Sequence, residues 1–350
     1  MLKYIKLRET LRFMCLIVKR VIFLLIPFLS VSSAWSKDYV ITSFGAIGDG
    51  KTSNTNCIQA AIDQAYQDKG GRVVIPSGKF LSGSLVMKSG VELHLLGKGV
   101  LLGSTQRLDY FSISENKWSA LLMAEGAQNI SITGKGTIDG QGTQLALNID
   151  SLFYAGQLDS SLYQFKEKRP VAHARPQIIQ FANCKFVEVR GVTIKNSASW
   201  VQSYDLCNHV IIDRIKVESV AYWNNDGIDI IDSKNVRITH CNINASDDGI
   251  CVKSYQRAKG VVAYCDSLYI GNCTVRSSAS AIKLGTSSFG GFRNVVIEDI
   301  KVYDTYRSAI ALECWETGIL ENILIQNVKA VNTGNAFFVR LSQRANFKEY

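Results

Sequence analysis

Asp226, Asp247 and Asp248 sit in two similar phrases, NNDGIDI and ASDDGICV, about one short repeat apart. Each phrase runs from acid into Gly-Ile and then into apolar residues. If the chain folds with that repeat as its period, Asp226 and Asp248 become neighbours and Asp247 lies beside them. Three carboxylates that close do not ionise independently, so at least one keeps its proton above the ordinary range. An acid and a base side by side near neutral pH are the groups that glycosidic bond cleavage uses. Two other readings stay open. A lone Asp-Gly is ordinarily a turn, and clustered carboxylates are hard oxygen ligands for calcium. Aromatic residues accompany the strip: Tyr222 and Trp223 just before Asp226, and Trp200 and Trp315 on other repeats. Their rings suit sugar faces, loops or packing alike.

The elements that must position these residues are short and repeated. One phrase is a polar residue followed by alternating apolar positions, starting at Asn208, Asn235, Asp266, Asn294 and Asn322. Between its copies lie DGIDI, DGICV, SAIKL, SAIAL and NAFFV, whose first core residues are Ile228, Ile250, Ile282, Ile310 and Phe337. Period-two patterns rich in Val and Ile read as strands. Strands this short, recurring every 20–30 residues without helices between them, read as a solenoid: an all-β, right-handed parallel β-helix. The recurrent Asn should form a ladder of side-chain amides, and the long step from Ile250 to Ile282 should hold a loop around YQRAKGVVAYC. Amino-terminal to the repeats, Ile58, Ala61, Ile62, Ala65 and Tyr66 fall at helical spacing before Gly70 and Gly71, which predicts a cap helix. No such device follows NAFFVRL, so the β-helix domain, 37–350, reads as truncated at its carboxyl end.

Residues 1–36 read as a secretory signal peptide: a basic stretch, the apolar run VIFLLIPFL and small residues, with a retained anchor as the alternative. They carry six Lys or Arg against one Glu, so the formal charge of +9 falls to +4 without them. That mild charge demands no nucleic-acid partner. The protein is expected outside the cytoplasm, as a monomer with a saccharide partner and no membrane contact once the signal is removed. The nine Cys are dispersed, without metal spacing. Cys241 and Cys273 hold equivalent repeat positions and read as stacked buried thiols, or else as a bridge between coils.

From Val40 onward the sequence resembles glycoside hydrolase family 28, the polygalacturonase-like enzymes on a right-handed parallel β-helix. SFGAIGDGKTSNTNCIQAAIDQA is similar to the family's amino-terminal segment; Asn224-Asn225-Asp226 is similar to its Asn-Thr-Asp motif, and Asp247-Asp248 to its paired aspartates. The resemblance implies hydrolysis with inversion, Asp247 protonating the glycosidic oxygen while Asp226 and Asp248 activate water, with no cofactor or metal. Asn224, Lys253 and Lys283 are the expected substrate-binding residues. Two departures bear on substrate. Ser280 stands where the family has the His of Gly-His-Gly, and Ala311, Leu312 and Glu313 stand where it has Arg-Ile-Lys. Lys283 or Arg340 could partly substitute. The acid–base residues are thus kept while a cationic clamp for galacturonate is altered, which points to a branched pectic glycan or a neutral-sugar linkage. A calcium-dependent lyase with Lys253 as base, and a non-catalytic carbohydrate-binding β-helix, are the alternatives.

Overall fold

The strand phrases stack in the register that the sequence repeat sets. The computed structural model describes residues 37–113, 118–258, 261 and 263–341. Residues 1–36, which the sequence reading expects to be a signal peptide, lie outside them. The strands form three parallel columns, and the chain visits each column once per coil, making a right-handed parallel β-helix. One column runs from Asp38–Val40 through Gly71–Ile75, Val91–Leu95, Gln128–Gly134, Lys185–Arg190, Asn208–Asp213, Lys234–Thr239 and Cys265–Gly271 into Gly291–Cys314. The column that matters for the site holds Ala120–Glu125, Gln177–Ala182, Gln202–Asp205, Ile228–Ile231, Ile250–Ser254 and Ser280–Ser288. It continues through the end of Gly291–Cys314 into Ile319–Leu341.

Inward side chains make the core. Ile228, Ile250, Ile282 and Ile310 pair in register and are fully buried. Burying each such side chain contributes about 1.5–3 kcal/mol. The same position on the last described coil is Phe337, which is 55% exposed. Outward on this column, Asp229, Cys251, Lys283 and Ala311 follow one another from coil to coil.

The amide ladder is present: Asn235 donates to Asn208 at 2.8 Å, Asn294 to Asp266 at 2.8 Å and Asn322 to Asn294 at 3.0 Å. Its seat needs a left-handed backbone, and Asn235, Asn294 and Asn322 have φ between 52° and 54°. In two coils the phrase boundary lies one residue later than the sequence suggests, because His209 and Ser267 take that left-handed seat rather than Asn208 and Asp266.

The cap helix is Thr55–Gln67, with Ile58, Ala61, Ile62 and Ala65 buried and Tyr66 half exposed. The long step does hold a loop, between Ile250–Ser254 and Cys265–Gly271. The repeat pattern gave no sign of an excursion between Thr137–Asp139 and Gln177–Ala182. It contains a second helix, Gly142–Tyr154, and an antiparallel hairpin of Tyr163–Gln164 with Arg169–Pro170. Leu145, Ala146 and Ile149 bury that helix on the coils, a helical spacing hidden in a stretch with no strand phrase. Cys241 and Cys273 are buried free thiols, each donating to a backbone carbonyl two residues back.

Candidate active site

Both Asp-Gly phrases lie where a coil turns into the outward strand column. Each phrase is tied to the next coil by its backbone: Gly227 N–H donates to the Asp248 carbonyl and Gly249 N–H to the Ser280 carbonyl, both at 2.9 Å. A Cβ on Gly227 would lie 2.5 Å from the Gly249 carbonyl oxygen, and one on Gly249 2.6 Å from that of Ala281. The glycines are therefore dictated by coil-to-coil packing. The acids before them are not: the same turn carries Ser280, Ser308 and Asn335 on later coils.

Asn225 is fully buried and fixes the first turn. Its amide donates to the Ser197 and Ser199 carbonyls at 3.0 and 2.8 Å and accepts from Ser219 Oγ at 2.8 Å. Asn224, in a left-handed conformation (φ 57°), points its amide to Asp247 Oδ2 at 3.4 Å. Asp226 and Asp248 are almost fully buried, and Asp247 is partly open. Asp248 accepts from Ser280 N–H at 3.0 Å and pairs with Lys283 Nζ at 3.2 Å.

Lys253 links Asp226, 3.0 Å away, to Asp229, with which it makes a short ion pair. Burial and the neighbouring acids lift the Asp226 carboxyl far above the ordinary carboxylate range, with only Lys253 opposing. Burial pushes Asp229 up to about 6. Burial and the adjacent Asp248 also raise Asp247. For Lys253 burial disfavours the ammonium, but Asp226 and Asp229 outweigh it and hold the lysine protonated. Two carboxylates thus share one ammonium in a dry setting, and the cluster keeps an extra proton readily.

The two lysines expected to bind substrate are therefore engaged with carboxylates of the protein, since Lys283 also lies 3.8 Å from Glu313. Glu313 is buried and Ala311 packs in register with Lys283. Arg340 stacks on Trp315 at 4.2 Å and pairs in register with Glu313. Asp226, Asp229 and Cys251 bring ligand atoms within 4.8 Å of one another. That set suits calcium poorly: a thiol is a soft ligand, and the Lys253 ammonium already occupies the space between the two carboxylates and offsets one of their charges.

Sequence reasoning missed three residues here. Asp229 is the outward residue of its strand and reads as ordinary alternation. Arg175, fully buried, donates to the Ala198 and Trp223 carbonyls at 2.7 and 2.6 Å and to Asn224 Oδ1 at 2.7 Å. Arg169 reaches the same Asn224 oxygen at 2.8 Å. Each of the two arginines is followed by Pro, at Arg169-Pro170 and Arg175-Pro176, and that repeated Arg-Pro pair was the available signal. Trp200 stacks on Trp118 at 4.9 Å with Lys253 over its ring at 4.3 Å. The exposed Trp223 carries Arg169 at 5.0 Å.

The family model of Glycosyl hydrolases family 28 matches residues 67–329, three quarters of the chain and both aspartate phrases. The chain belongs to glycosyl hydrolase family 28. This family 28 chain is 30% identical over 281 residues to a Vitis vinifera protein described as "Probable polygalacturonase", covering 74% of this chain and 54% of the relative. It is 25% identical over 311 residues to an exo-poly-alpha-D-galacturonosidase of Dickeya chrysanthemi, covering 77% and 51%. The chain thus spans about half the length of these two relatives. Among solved structures it is similar to the exopolygalacturonase of Thermotoga maritima, with a TM-score of 0.71 and 25% identity over 90% of this chain and 77% of that one.

Proposed function

We propose that this chain is an exported glycoside hydrolase that cleaves O-glycosidic bonds in pectic or related plant polysaccharides with inversion. The observation that carries the reading is the trio of Asp226, Asp247 and Asp248 on adjacent coils, each with a different environment. Asp247 is raised by burial and by Asp248 and, unlike the buried Asp226, is partly open, so it is the group placed to give a proton to the leaving oxygen. Asp248, fixed by Ser280 N–H and Lys283, and Asp226, fixed by Lys253, hold the attacking water. Their lysines set the orientation of the carboxylates and cancel part of their mutual repulsion. The lyase alternative needs a neutral base, and Lys253 is held protonated between Asp226 and Asp229.

On the coils beyond Asp248, Ala311 and the buried Glu313 offer no cation to a uronate. The sugar on that side is accordingly neutral, or its carboxyl points away. A screen of defined pectic oligosaccharides, neutral and acidic, tests the reading by product mass. Hydrolysis adds one water across the products; elimination adds none and leaves an ultraviolet-absorbing unsaturated sugar. Asp247→Asn should lower kcat by about 10²–10⁴-fold. Elimination products, or full activity in Asp247→Asn, would sink the proposal. Export is checked by the amino terminus of the protein recovered outside the cytoplasm, which should lack residues 1–36.

A further inference from the structure

The cations of the site differ in what they hold. Lys253 is committed to Asp226 and Asp229, Lys283 to Asp248 and Glu313, and Arg257 to Asp205 and Asp232. All five acids other than Asp205 are nearly or fully buried, so exchanging any of these pairs for a ligand would strand a buried charge. Arg175 is fully buried behind Asn224. Arg340 lies three coils beyond Asp248, roughly 14 Å along the stack at the usual strand spacing.

Arg169 is different. It is delivered by the hairpin, from the amino-terminal side of the aspartates, with its side chain 14% exposed. One edge of the guanidinium holds Asn224 Oδ1 at 2.8 Å, which ties it to the amide that touches Asp247. The other edge holds Glu167, through Nε at 2.5 Å and through Nη2. Glu167 sits on the hairpin turn and is 51% exposed. An exposed carboxylate on a turn makes a weak, exchangeable partner. Beside the pair stands Trp223, 64% exposed, with the guanidinium 5.0 Å from its ring and three residues before Asp226 in the chain.

We propose that Arg169 and Trp223 form a subsite for an acidic sugar on the amino-terminal side of the aspartates. Glu167 occupies the guanidinium until the sugar carboxylate displaces it. The planar fork of Arg169 suits a carboxylate, and the indole gives the ring a flat apolar face. The arrangement rests on the hydrolase reading above and deepens it. Acidic recognition lies on the side of the hairpin, and the coils carrying Ala311 and Glu313 take a sugar without a carboxylate contact. The bond cleaved then joins an acidic residue to a neutral or masked one.

Binding is measured by calorimetry on the full chain carrying Asp247→Asn, so that turnover does not interfere, with trigalacturonate and neutral galactotriose as probes. Adding Glu167→Gln should tighten trigalacturonate by about fivefold, because the competing carboxylate is gone. Adding Arg169→Met should weaken it by about tenfold and flatten its salt dependence. Neither change should alter galactotriose binding. Because the polar partner of Glu167 is Arg169 and not Asn224, which Arg175 also holds, its variant separates recognition from a structural role of Arg169. The inference is overturned if Glu167→Gln leaves trigalacturonate binding unchanged, or if Arg169→Met weakens both probes alike. Hydrolysis of neutral oligosaccharides without any trigalacturonate binding overturns this subsite and leaves the hydrolase reading standing. The expected binding pattern with no turnover of any pectic oligosaccharide by the unmodified chain does the reverse.

Discussion

At the scale of residues, the site depends on Lys253 more than the sequence suggests. It is one ammonium between two carboxylates, Asp229 fully buried and Asp226 nearly so, and Asp229 Oδ2 has no hydrogen-bond partner among the described residues. Removing one member of a buried ion pair leaves an uncompensated charge, which costs about 3–5 kcal/mol. Lys253→Met should therefore destabilise the protein by that amount near pH 7. The sign of its pH dependence follows from the carboxyls. Asp229, already pushed up to about 6, loses the ammonium that opposes its rise, as does Asp226. A carboxyl whose folded pKa is raised favours the folded state below its unfolded pKa and loses that contribution as pH rises through the folded value. The deficit of Lys253→Met should thus shrink between pH 7 and pH 4, as measured by denaturant unfolding at both values. A deficit independent of pH would show that the cluster is not the cause. The three aspartates were legible in the sequence because two copies of one phrase fall in register. Asp229 was not, because an outward Asp and any polar strand residue give the same alternation. Arg169 lies 55 residues from its partner Asn224, and only the return of the hairpin joins them.

At the scale of elements, the doubled Asp-Gly separates into two requirements. The glycines answer to the stack, since each lies against the backbone of the following coil. The acids answer to chemistry, since later coils make the same turn with Ser or Asn. Gly249→Ala should then damage both: its Cβ would meet Val275 Cγ1 at 2.4 Å and the Ala281 carbonyl oxygen at 2.6 Å, and Asp248 is its immediate neighbour. Overpacking of this kind costs about 1–3 kcal/mol, and the backbone shift should lower kcat more than it raises KM. Gly97→Ala is the control, for its Cβ would meet nothing nearer than Lys135 Cβ at 3.9 Å. Equal melting temperatures for the two variants would refute the packing argument. The strand phrases and the helix Thr55–Gln67 were readable because period and composition agree over many residues. The helix Gly142–Tyr154 was not, because it interrupts the repeat once and only Leu145, Ala146 and Ile149 carry its spacing.

At the scale of the whole molecule, the steps of 22, 32, 28 and 27 residues from Ile228 to Phe337 became the observed register, because inward residues must stack whatever the loops between them do. What a period cannot encode is that the coils differ in stability. In a solenoid each coil is stabilised by its own packing and by its two neighbours. The coils carrying Ile228 and Ile250 have a described coil on each side, and their inward residues are fully buried. On the last described strand, Ile319–Leu341, the inward Phe337 and Val339 are 55% and 59% exposed, and Leu341 is 67% exposed. Among the described residues that strand pairs with Gly291–Cys314 alone. Local opening should therefore be easiest there and hardest around the aspartates. Hydrogen exchange read by mass spectrometry should show protection rising from Ile319–Leu341 through Gly291–Cys314 to the strands at Ile228–Ile231 and Ile250–Ser254. Uniform protection along the column would mean that the stack opens as one unit. The site would then owe nothing to its position in the middle of the stack. A graded profile would mean that Asp226, Asp247 and Asp248 are held rigid by their place among neighbours on both sides.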